Sequence, residues 1–259
     1  MKVLISLLDL TILIPVRLDT ISRLENILGT TQFLATNLDT KIWVMESAKC
    51  KNGFLEKLLD NNIQYSFWED HDPILYRTKF LNQMTKYVAT PFLAVWDADV
   101  ITPIIQIIKA MELLRTGEAD FVYPYEFQFL DTSPILKNLF LQERKIEILE
   151  QNAKKMKEMY LPNPVGGAFL ANFRAYNEAG LENENFYGWG MEDGERFYRW
   201  EKMGYKIKRV SGPLFHLSHD RGINSTYHNV DQKIFKRKEV INVRRKISVN
   251  SFQSNDETT

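Results

Sequence analysis

Residues 92–100 read FLAVWDADV, and this stretch decides the fold. Its first five residues are apolar without interruption, which is the pattern of a strand that is buried on both faces. Such strands belong to parallel sheets that helices cover on each side. Asp97 and Asp99 follow directly. The stretch therefore predicts an α/β protein with two carboxylates at the carboxyl edge of its sheet.

The same pattern recurs on either side of this stretch. Buried strands are predicted at residues 11–16, 42–45 and 121–123. Segments with apolar residues at helical spacing alternate with these strands. They predict one helix that is capped by Asp19 and further helices over residues 51–61, 76–88 and 104–114. This alternation predicts a mostly parallel central sheet that is flanked by helices.

The second half of the chain is less regular. Residues 134–160 are rich in Lys, Glu and Leu, and they predict one long or broken amphipathic helix. Strand-like sequence with a pair of glycines returns at residues 163–171. A further helix is predicted over residues 193–203, with a buried stripe of Phe197, Trp200 and Met203.

The totals of the 259-residue chain exclude several classes of protein. The formal net charge is zero, which gives no global electrostatic reason to expect a nucleic-acid partner. A single cysteine, Cys50, excludes a disulfide framework. Asp9 interrupts the apolar residues near the N-terminus, and no small-residue cleavage site follows, so we expect a cytoplasmic protein without a signal peptide.

Two parts of the chain differ in composition. Residues 1–230 carry the alternating pattern and are predicted to form one domain. Residues 231–259 are first basic and then polar, and they are predicted to form a basic, partly disordered extension. Two explanations of this extension stay open: it contacts an anionic membrane surface, or its basic residues form a solvated helix face. Its basic residues are Lys233, Lys236, Arg237, Lys238, Arg244, Arg245 and Lys246.

Acidic residues and histidines are the first candidates for a ligand site. Two carboxylates one residue apart, such as Asp97 and Asp99, can bind a divalent cation, although most such pairs are turn or cap residues. His216 and His219 lie in the sequence LFHLSH. Imidazoles are common ligands for metals such as manganese, and the alternative is that these rings pack in the core or face solvent.

Residues 188–200 read GWGMEDGERFYRW and raise a second possibility. Glu192, Asp193 and Glu195 suit the first turn of a helix, where carboxylates complement the helix dipole. That explanation does not account for Trp189 between two glycines, because flexible glycines cost conformational entropy on folding. An indole framed by glycines suits the close approach of another molecule.

Together these motifs resemble those of nucleotide-sugar glycosyltransferases of the GT-A fold, over residues 11–224. TILIPVRLDT resembles the start of family 2 enzymes, and LYRTKFLN is similar to the Arg-Ala-Lys-Leu-Leu-Asn segment of β-1,4-galactosyltransferases. VGGAF resembles the Gly-Gly strand of the same enzymes. FYGWGMEDGERFYRW looks like the Gly-Trp-Gly-Gly-Glu-Asp segment of family 7 galactosyltransferases and bacterial chondroitin-type polymerases, except that Met191 replaces the second glycine after the tryptophan.

The resemblance implies a role for each matching residue. Asp193 is the expected catalytic base. The expected metal ligands are Asp97, Asp99 and His216, with His219 as the alternative to His216. The residues expected to bind the nucleotide or the donor sugar are Pro15, Arg17, Glu46, Arg77 and Asp97. The residues expected to bind the acceptor are Gly167, Trp189 and Glu192.

The function that the resemblance implies is inverting, metal-dependent transfer of a sugar from a UDP-sugar to a saccharide or lipid-linked saccharide acceptor. Galactose or N-acetylgalactosamine is the expected sugar, manganese the expected cation with magnesium as the alternative, and surface polysaccharide or glycan synthesis the expected setting. The expected location is the cytoplasm, with peripheral contact at the inner membrane face. Two alternatives stay open: a retaining transferase, which needs no base at Asp193, and a non-catalytic sugar-binding or scaffold subunit.

Overall fold

The computed structural model of the protein describes residues 4–227 and 230–253, with side chains as far as residue 243. The first part contains β1 (Ile5–Val16), α1 (Ile21–Ala35), β2 (Leu38–Ala48), α2 (Phe54–Leu58), β3 (Ile63–Glu69), α3 (Arg77–Thr85), β4 (Phe92–Trp96), β5 (Val100–Ile101), α4 (Ile104–Arg115) and β6 (Phe121–Tyr123). The second part contains β7 (Phe129–Asp131), α5 (Pro134–Glu143), α6 (Ile146–Asn152), β8 (Lys157–Glu158), β9 (Ala168–Asn172), α7 (Phe173–Glu178), α8 (Glu192–Lys202), β10 (Ile207–Arg209), β11 (Leu214–His216) and α9 (Val230–Gln253).

The central sheet has the strand order β10-β6-β9-β4-β1-β2-β3. Neighbouring strands are parallel except where β9 pairs with β4 and β6. All five residues of β4 are buried, because helices cover both faces of the sheet at this position. The predicted fold class, α/β with a mostly parallel central sheet flanked by helices, is confirmed.

A second, smaller sheet lies at the carboxyl edge of the first. Its strand order is β5-β11-β7-β8. β5 begins directly after the sequence Asp97-Ala98-Asp99, so these three residues connect the central sheet to the small one. The sequence does not predict this small sheet, because its strands are only two or three residues long.

The first part of the chain differs from the prediction in two places. The predicted helix over 51–61 is limited to α2, and an unpredicted strand, β3, follows it. β3 is the edge strand of the sheet and is half-exposed, so it lacks the apolar run by which the inner strands are predicted. The cap of α1 is Thr20 and not Asp19, because the Thr20 hydroxyl accepts the hydrogen bond from the backbone N–H of Arg23.

The segment 134–160 is broken, as one of the two predicted forms requires. α5 ends at Arg144, whose backbone takes the left-handed conformation with φ of 54°. α6 and a single 3₁₀ turn follow, and the segment then enters β8. The break allows α5 and α6 to bury Phe140 and Leu149, which pack beside Leu130 of β7 and Phe215 of β11.

α8 is anchored by one aromatic side chain. The ring of Trp200 is fully buried and stacks on Phe121 at 3.7 Å between centroids, with Phe169 at 5.1 Å. The prediction of a buried stripe on α8 is confirmed for Trp200 and wrong for Met203, which is 50% exposed at the end of the helix. The position of the first turn of α8 therefore depends on the Trp200 contact.

α9 packs against α8 and makes the basic extension helical as far as Gln253. The predicted disorder of the extension concerns residues 254–259, which lie outside the described residues. The boundary between the domain and the extension stays a prediction. Among the described helices, none has both the length and the apolar character that a membrane span requires.

We expect Trp200→Ala to lower the free energy of unfolding by about 3–5 kcal/mol, since it removes a large buried ring from a packed aromatic cluster. Met203→Ala on the same helix is the control and should change it by no more than about 0.5 kcal/mol. Urea unfolding followed by far-UV circular dichroism measures both. Equal effects of the two substitutions would contradict the anchoring role of Trp200.

Candidate active site

One cleft of about 420 Å³ lies at the carboxyl edge of the central sheet, between the ends of β1 and β4 and the first turn of α8. Nearly all of the residues predicted for the site line this cleft: Pro15, Arg17, Arg77, Asp97, Asp99, Gly167, Trp189, Glu192, Asp193, His216 and His219. Glu46 is the exception. It is buried within β2, where its carboxylate accepts a hydrogen bond of 2.7 Å from the hydroxyl of Tyr65.

Asp99 and the two histidines form a compact group. Nε2 of His219 lies 3.1 Å from Oδ2 of Asp99, and Nε2 of His216 lies 3.8 Å from the same oxygen. β11 pairs with β5, and this pairing brings His216 beside Val100, next to Asp99 in the chain. Among the described residues, these three offer ligand atoms that all lie within 4.8 Å of one another.

Each imidazole of this group is oriented by its second nitrogen. Nδ1 of His216 lies 2.8 Å from Oδ1 of Asp131, and Nδ1 of His219 lies 2.8 Å from the carbonyl oxygen of Asp220. Contacts of this kind are typical of histidines that bind a metal through the other nitrogen. One carboxylate and two imidazoles are donors that suit a divalent cation such as Mn²⁺. Both histidines contact Asp99, so the preference for His216 over His219 stays a prediction.

The charges of this group are coupled. Burial raises the pKa of Asp99, but the charge of His216 and the hydrogen bond with His219 outweigh it and hold the pKa below its usual value. Burial lowers the pKa of His216, but Asp99 and Asp131 outweigh it and raise the pKa overall. The group therefore favours a charged carboxylate, which is the form that binds a cation.

Asp97 lies in a different environment from Asp99. Its Oδ1 accepts a hydrogen bond of 2.6 Å from Nη2 of Arg77, and it lies outside the group of three potential ligands. Burial raises the pKa of Asp97, and Asp99 and Asp193 add to this effect while Arg77 opposes it. Nη1 of Arg77 is buried and has no hydrogen-bond partner among the described residues. A role of Asp97 as a metal ligand stays a prediction.

Asp193 is held in place by a buried chain of polar side chains. Nη2 of Arg196 donates to Oδ1 of Asp193 at 2.5 Å. Nη1 of Arg196 binds both carboxylate oxygens of Glu182, at 2.9 and 3.1 Å. The Tyr176 hydroxyl donates to Glu182 at 2.6 Å. This chain fixes the orientation of the Asp193 carboxylate before any ligand is present.

The other carboxylate oxygen of Asp193 lies against the backbone of Gly166. A Cβ atom at residue 166 would be 2.6 Å from Oδ2 of Asp193, so any larger residue would displace the carboxylate. The sequence predicts a role for Gly167, which also lines the cleft, but it gives no reason for Gly166. The Gly-Gly pair in VGGAF is therefore explained in part by close approach to Asp193.

Trp189 is half-buried and its ring is supported from two sides. Tyr227 packs edge-on against it at 5.1 Å between centroids, and the guanidinium carbon of Arg221 lies 5.7 Å from its centroid. Gly190 has φ of +101°, and a Cβ atom there would be 3.0 Å from the ring of Tyr227. The backbone of Trp189 is held as well, because Lys236 of α9 donates a hydrogen bond of 2.7 Å to the Trp189 carbonyl oxygen.

Arg17 lines the cleft, but its guanidinium is held by neighbouring protein groups. Nε donates to the carbonyl oxygen of Ser47, and Nη2 donates to the Ser47 hydroxyl and to Asp70. Nη1 donates to the carbonyl oxygen of Asp72. Arg17 therefore fastens β1 to the loop after β3. Its contact with a nucleotide stays a prediction, as does that of Glu46.

Several residues that line the cleft or support its side chains lie outside the predicted set. Asp131 is the last residue of a three-residue strand and reaches His216 only through the pairing of β7 with β11. Tyr160 comes from a loop without regular pattern, whereas Arg221 is an arginine that the sequence already offers as a partner for phosphate or a carboxylate. Glu182 and Arg196 are distant in sequence, and their pairing follows only from the packing of α8.

We expect Asp99→Ala to abolish Mn²⁺ binding, because the cation loses the carboxylate of its three-residue site. His216→Ala and His219→Ala should each weaken binding, and the preference for His216 predicts the larger loss for His216→Ala. Titration calorimetry with MnCl₂ measures the affinities. His71→Ala is the control, since His71 is exposed and paired with Glu69. Unchanged Mn²⁺ affinity in Asp99→Ala would overturn the site.

Glu192 predicts a pH dependence of stability. Burial and the neighbouring charge of Asp193 raise its pKa from 4.5 to about 7. Between these values the folded protein holds a proton that the unfolded chain releases, so the free energy of unfolding falls as the pH rises from 4.5 to about 7. Glu192→Gln should flatten this part of the curve. Urea unfolding at a series of pH values tests it, and parallel curves for the two proteins would contradict it.

The sequence matches one family model over residues 149–227, and its description is the N-terminal domain of galactosyltransferase. This match covers the Gly-Gly strand, α8, both histidines and Tyr227, and it ends before α9. No curated protein matches the sequence closely enough to be named as a relative.

Three solved structures share the fold at low sequence identity. The catalytic domain of Drosophila β-1,4-galactosyltransferase 7, in complex with xylobiose, is 17% identical, with 91% of this chain and 81% of that chain covered and a TM-score of 0.53. Glucosyl-3-phosphoglycerate synthase of Mycobacterium tuberculosis, with Mn²⁺, UDP and phosphoglyceric acid, is 15% identical, with 92% and 78% covered and a TM-score of 0.51. A Pyrobaculum calidifontis mannosyltransferase, with GDP-mannose and Mn²⁺, is 14% identical, with 83% and 58% covered and a TM-score of 0.53.

These likenesses agree with the resemblance that the motifs suggest. The predicted GT-A architecture is confirmed over most of the chain by the structural matches. The segment that carries Trp189, Glu192 and Asp193 lies within the residues matched by the galactosyltransferase model. The chain therefore has the GT-A fold of nucleotide-sugar glycosyltransferases, and its residues 149–227 carry a galactosyltransferase sequence pattern.

Proposed function

We propose that the protein is an inverting, metal-dependent glycosyltransferase that moves galactose or N-acetylgalactosamine from a UDP-sugar to a hydroxyl of a saccharide acceptor. The observation that carries the proposal is that the Asp193 carboxylate and the group of Asp99, His216 and His219 line the same cleft. Such a transfer needs a base for the acceptor proton and a way to neutralise the leaving diphosphate. The cleft has candidates for both.

Asp193 is the proposed base. Arg196 occupies one of its oxygens, and the other, Oδ2, lies beside Gly166 at the cleft. In the proposed reaction, Asp193 takes the proton of the acceptor hydroxyl as the hydroxyl oxygen forms a bond to the anomeric carbon. The bond from that carbon to the diphosphate oxygen breaks, and UDP leaves with the electron pair. A single displacement of this kind inverts an α-linked donor to a β-glycoside.

The metal site is proposed to receive the leaving group. A divalent cation bound by Asp99, His216 and His219 would supply positive charge beside the diphosphate. Manganese is the proposed cation, which agrees with the Mn²⁺ and UDP-galactose of a Drosophila β-1,4-galactosyltransferase 7 complex that is 16% identical to this chain. Arg221 lines the cleft and adds a fixed positive charge on this side.

The sugar-binding groups are proposed to lie between the metal site and the base. Nη1 of Arg77 and Oε2 of Glu192 are buried, line the cleft and lack hydrogen-bond partners among the described residues. Buried polar atoms without partners are costly, and sugar hydroxyls would supply a donor and an acceptor for them. The indole of Trp189 offers an apolar face on which the C–H face of an acceptor sugar can pack.

The proposal includes acceptor class and location. Acceptors are saccharides, with lipid-linked saccharides among them, and the setting is the synthesis of surface polysaccharide or other glycans. The support for a saccharide acceptor is Trp189 together with the xylobiose bound by the Drosophila relative. The proposed location is the cytoplasm, at the inner face of the membrane.

The proposed function is tested with donor alone, because water can replace an unknown acceptor. The protein is incubated with Mn²⁺ and one of UDP-galactose, UDP-N-acetylgalactosamine or UDP-glucose, and UDP release is measured. We expect release with the first or second donor and none with EDTA. Proton NMR of the sugar, before mutarotation is complete, should show the β-anomer. An α-anomer would indicate a retaining enzyme, and absence of release with every donor would contradict the proposal.

Asp193→Asn is expected to lower the rate of UDP release by about 10²–10⁴-fold, because the amide cannot take a proton. The amide oxygen can still accept from Arg196, so the melting temperature and UDP affinity should change little. Glu201→Gln removes the same charge from an exposed position of α8 and is the control.

The alternative explanation of Asp193, as a helix-dipole acid, predicts a different result. Stability would fall by about 0.3–1 kcal/mol while turnover stayed nearly intact. Wild-type turnover in Asp193→Asn would therefore end the assignment of the base and leave Glu192 as the next candidate.

A further inference from the structure

The helix α9 has two faces of different kind. Its inner face consists of Gln232, Lys236, Glu239, Val240 and Val243. These residues follow one another at spacings of four, three, one and three residues, which places them on one side of a helix. These residues are buried or half-buried, and Lys236 is only 1% exposed. This face accounts for the packing of α9 on α8 and for the hydrogen bond from Lys236 to Trp189.

The outer face repeats the same spacing on the opposite side of the helix. It consists of Val230, Ile234, Arg237, Lys238 and Ile241, all of them exposed. Val230 is 71% exposed, Ile234 44% and Ile241 43%. A helix on the surface of a soluble protein usually has a polar outer face. α9 instead has branched apolar side chains on the face that its own fold does not cover.

Basic residues accompany these apolar side chains. Arg237 and Lys238 lie within the outer face, and Lys233 lies at its flank, all exposed. The opposite flank has Phe235, 48% exposed. The same exposed surface has one carboxylate, Asp231, so its charge is positive in a chain whose formal net charge is zero. Exposed apolar side chains together with lysines and arginines give this side of the helix both an apolar contact and a positive charge for an anionic lipid surface.

We propose that the outer face of α9 docks on an anionic lipid surface. The apolar side chains of Val230, Ile234 and Ile241 enter the boundary between headgroups and acyl chains, and Lys233, Arg237 and Lys238 contact the anionic headgroups. The helix lies parallel to the surface and does not cross it. The partner is defined by charge complementarity: the apolar stripe would suit any hydrophobic surface, while the basic residues select an anionic one.

The docked helix would bring the cleft to the membrane. The inner face of α9 holds the loop of Trp189 through Lys236, so about one helix diameter, 10–12 Å, separates that loop from the lipid surface. This arrangement suits an acceptor whose sugar projects from a lipid headgroup. The inference about the acceptor rests on the proposed function, whereas the docking of α9 does not depend on turnover.

The test is flotation of the full chain with lipid vesicles at low salt. Vesicles of phosphatidylcholine with one third phosphatidylglycerol are compared with vesicles of phosphatidylcholine alone. We expect binding to the anionic vesicles only, and loss of it at high salt. The double substitution Ile234→Glu with Ile241→Glu should weaken binding by about tenfold or more, since it removes two aliphatic side chains that the lipid would bury and adds repulsion.

Leu8→Glu is the matched control, because Leu8 is 70% exposed on β1, away from α9, and undergoes the same chemical change. Melting temperature and Mn²⁺ affinity verify that each variant is folded. Absence of flotation at low salt, or equal losses in Leu8→Glu and the double variant, would overturn the proposal. So would a concentration-dependent dimer that the double variant abolishes, since the outer face would then be covered by a second copy. Vesicle binding without UDP release would support docking and contradict only the proposed function.

Discussion

The buried ion pair between Arg196 and Glu182 is the interaction on which the position of the proposed base depends. Both side chains are 1% exposed, and removing one partner of such a pair leaves an uncompensated buried charge, which costs about 3–5 kcal/mol. The pair joins α8 to the loop after α7, and the guanidinium also lies 4.4 Å from the ring centroid of Phe169 on β9. Asp193 takes its orientation from the other terminal nitrogen, Nη2, of the same guanidinium. The proposed base is thus fixed by the core.

The strands that are buried on both faces could be predicted from the sequence, because their apolar runs depend only on local burial. Residues 92–96 and 121–123 are strands with the predicted bounds. β3 could not be predicted in the same way, because an edge strand mixes exposed and buried positions. The cap at Thr20 was missed because Asp19 has the same propensity, and only the geometry of the backbone decides between two adjacent cap residues.

The residues of the candidate site also fall into those that could be predicted from local sequence and those that could not. Asp99, Trp189, Glu192 and Asp193 belong to local motifs and could be identified from sequence, and the structure brings them to one cleft. Asp131 and Glu182 could not, because their partners His216 and Arg196 lie 85 and 14 residues away in the chain. Their partners follow from strand register and helix packing. Arg17 has a structural role that its place at a strand end does not reveal, since its guanidinium binds Ser47 and Asp70.

Several carboxylates line the cleft, and their charges shift the pKa values of neighbouring groups. Asp97, Asp99, Glu192 and Asp193 all line it. Burial and their mutual repulsion raise the pKa of Asp97 and of Glu192. Burial lowers the pKa of Arg77, but the charges of Asp97 and Asp193 outweigh it and raise the pKa overall.

The two carboxylates of Asp97-Ala98-Asp99 differ because the chain changes sheets between them. β4 belongs to the central sheet and β5 to the small one. Asp97 therefore meets Arg77 of α3, on the same side as α8 and the proposed base, while Asp99 meets the histidines at the end of β11. The base is positioned by the core beneath α8, and the metal group by the short strands β5, β7 and β11. The proposed base and the metal group therefore belong to two different packing units, and the two carboxylates of Asp97-Ala98-Asp99 face one unit each.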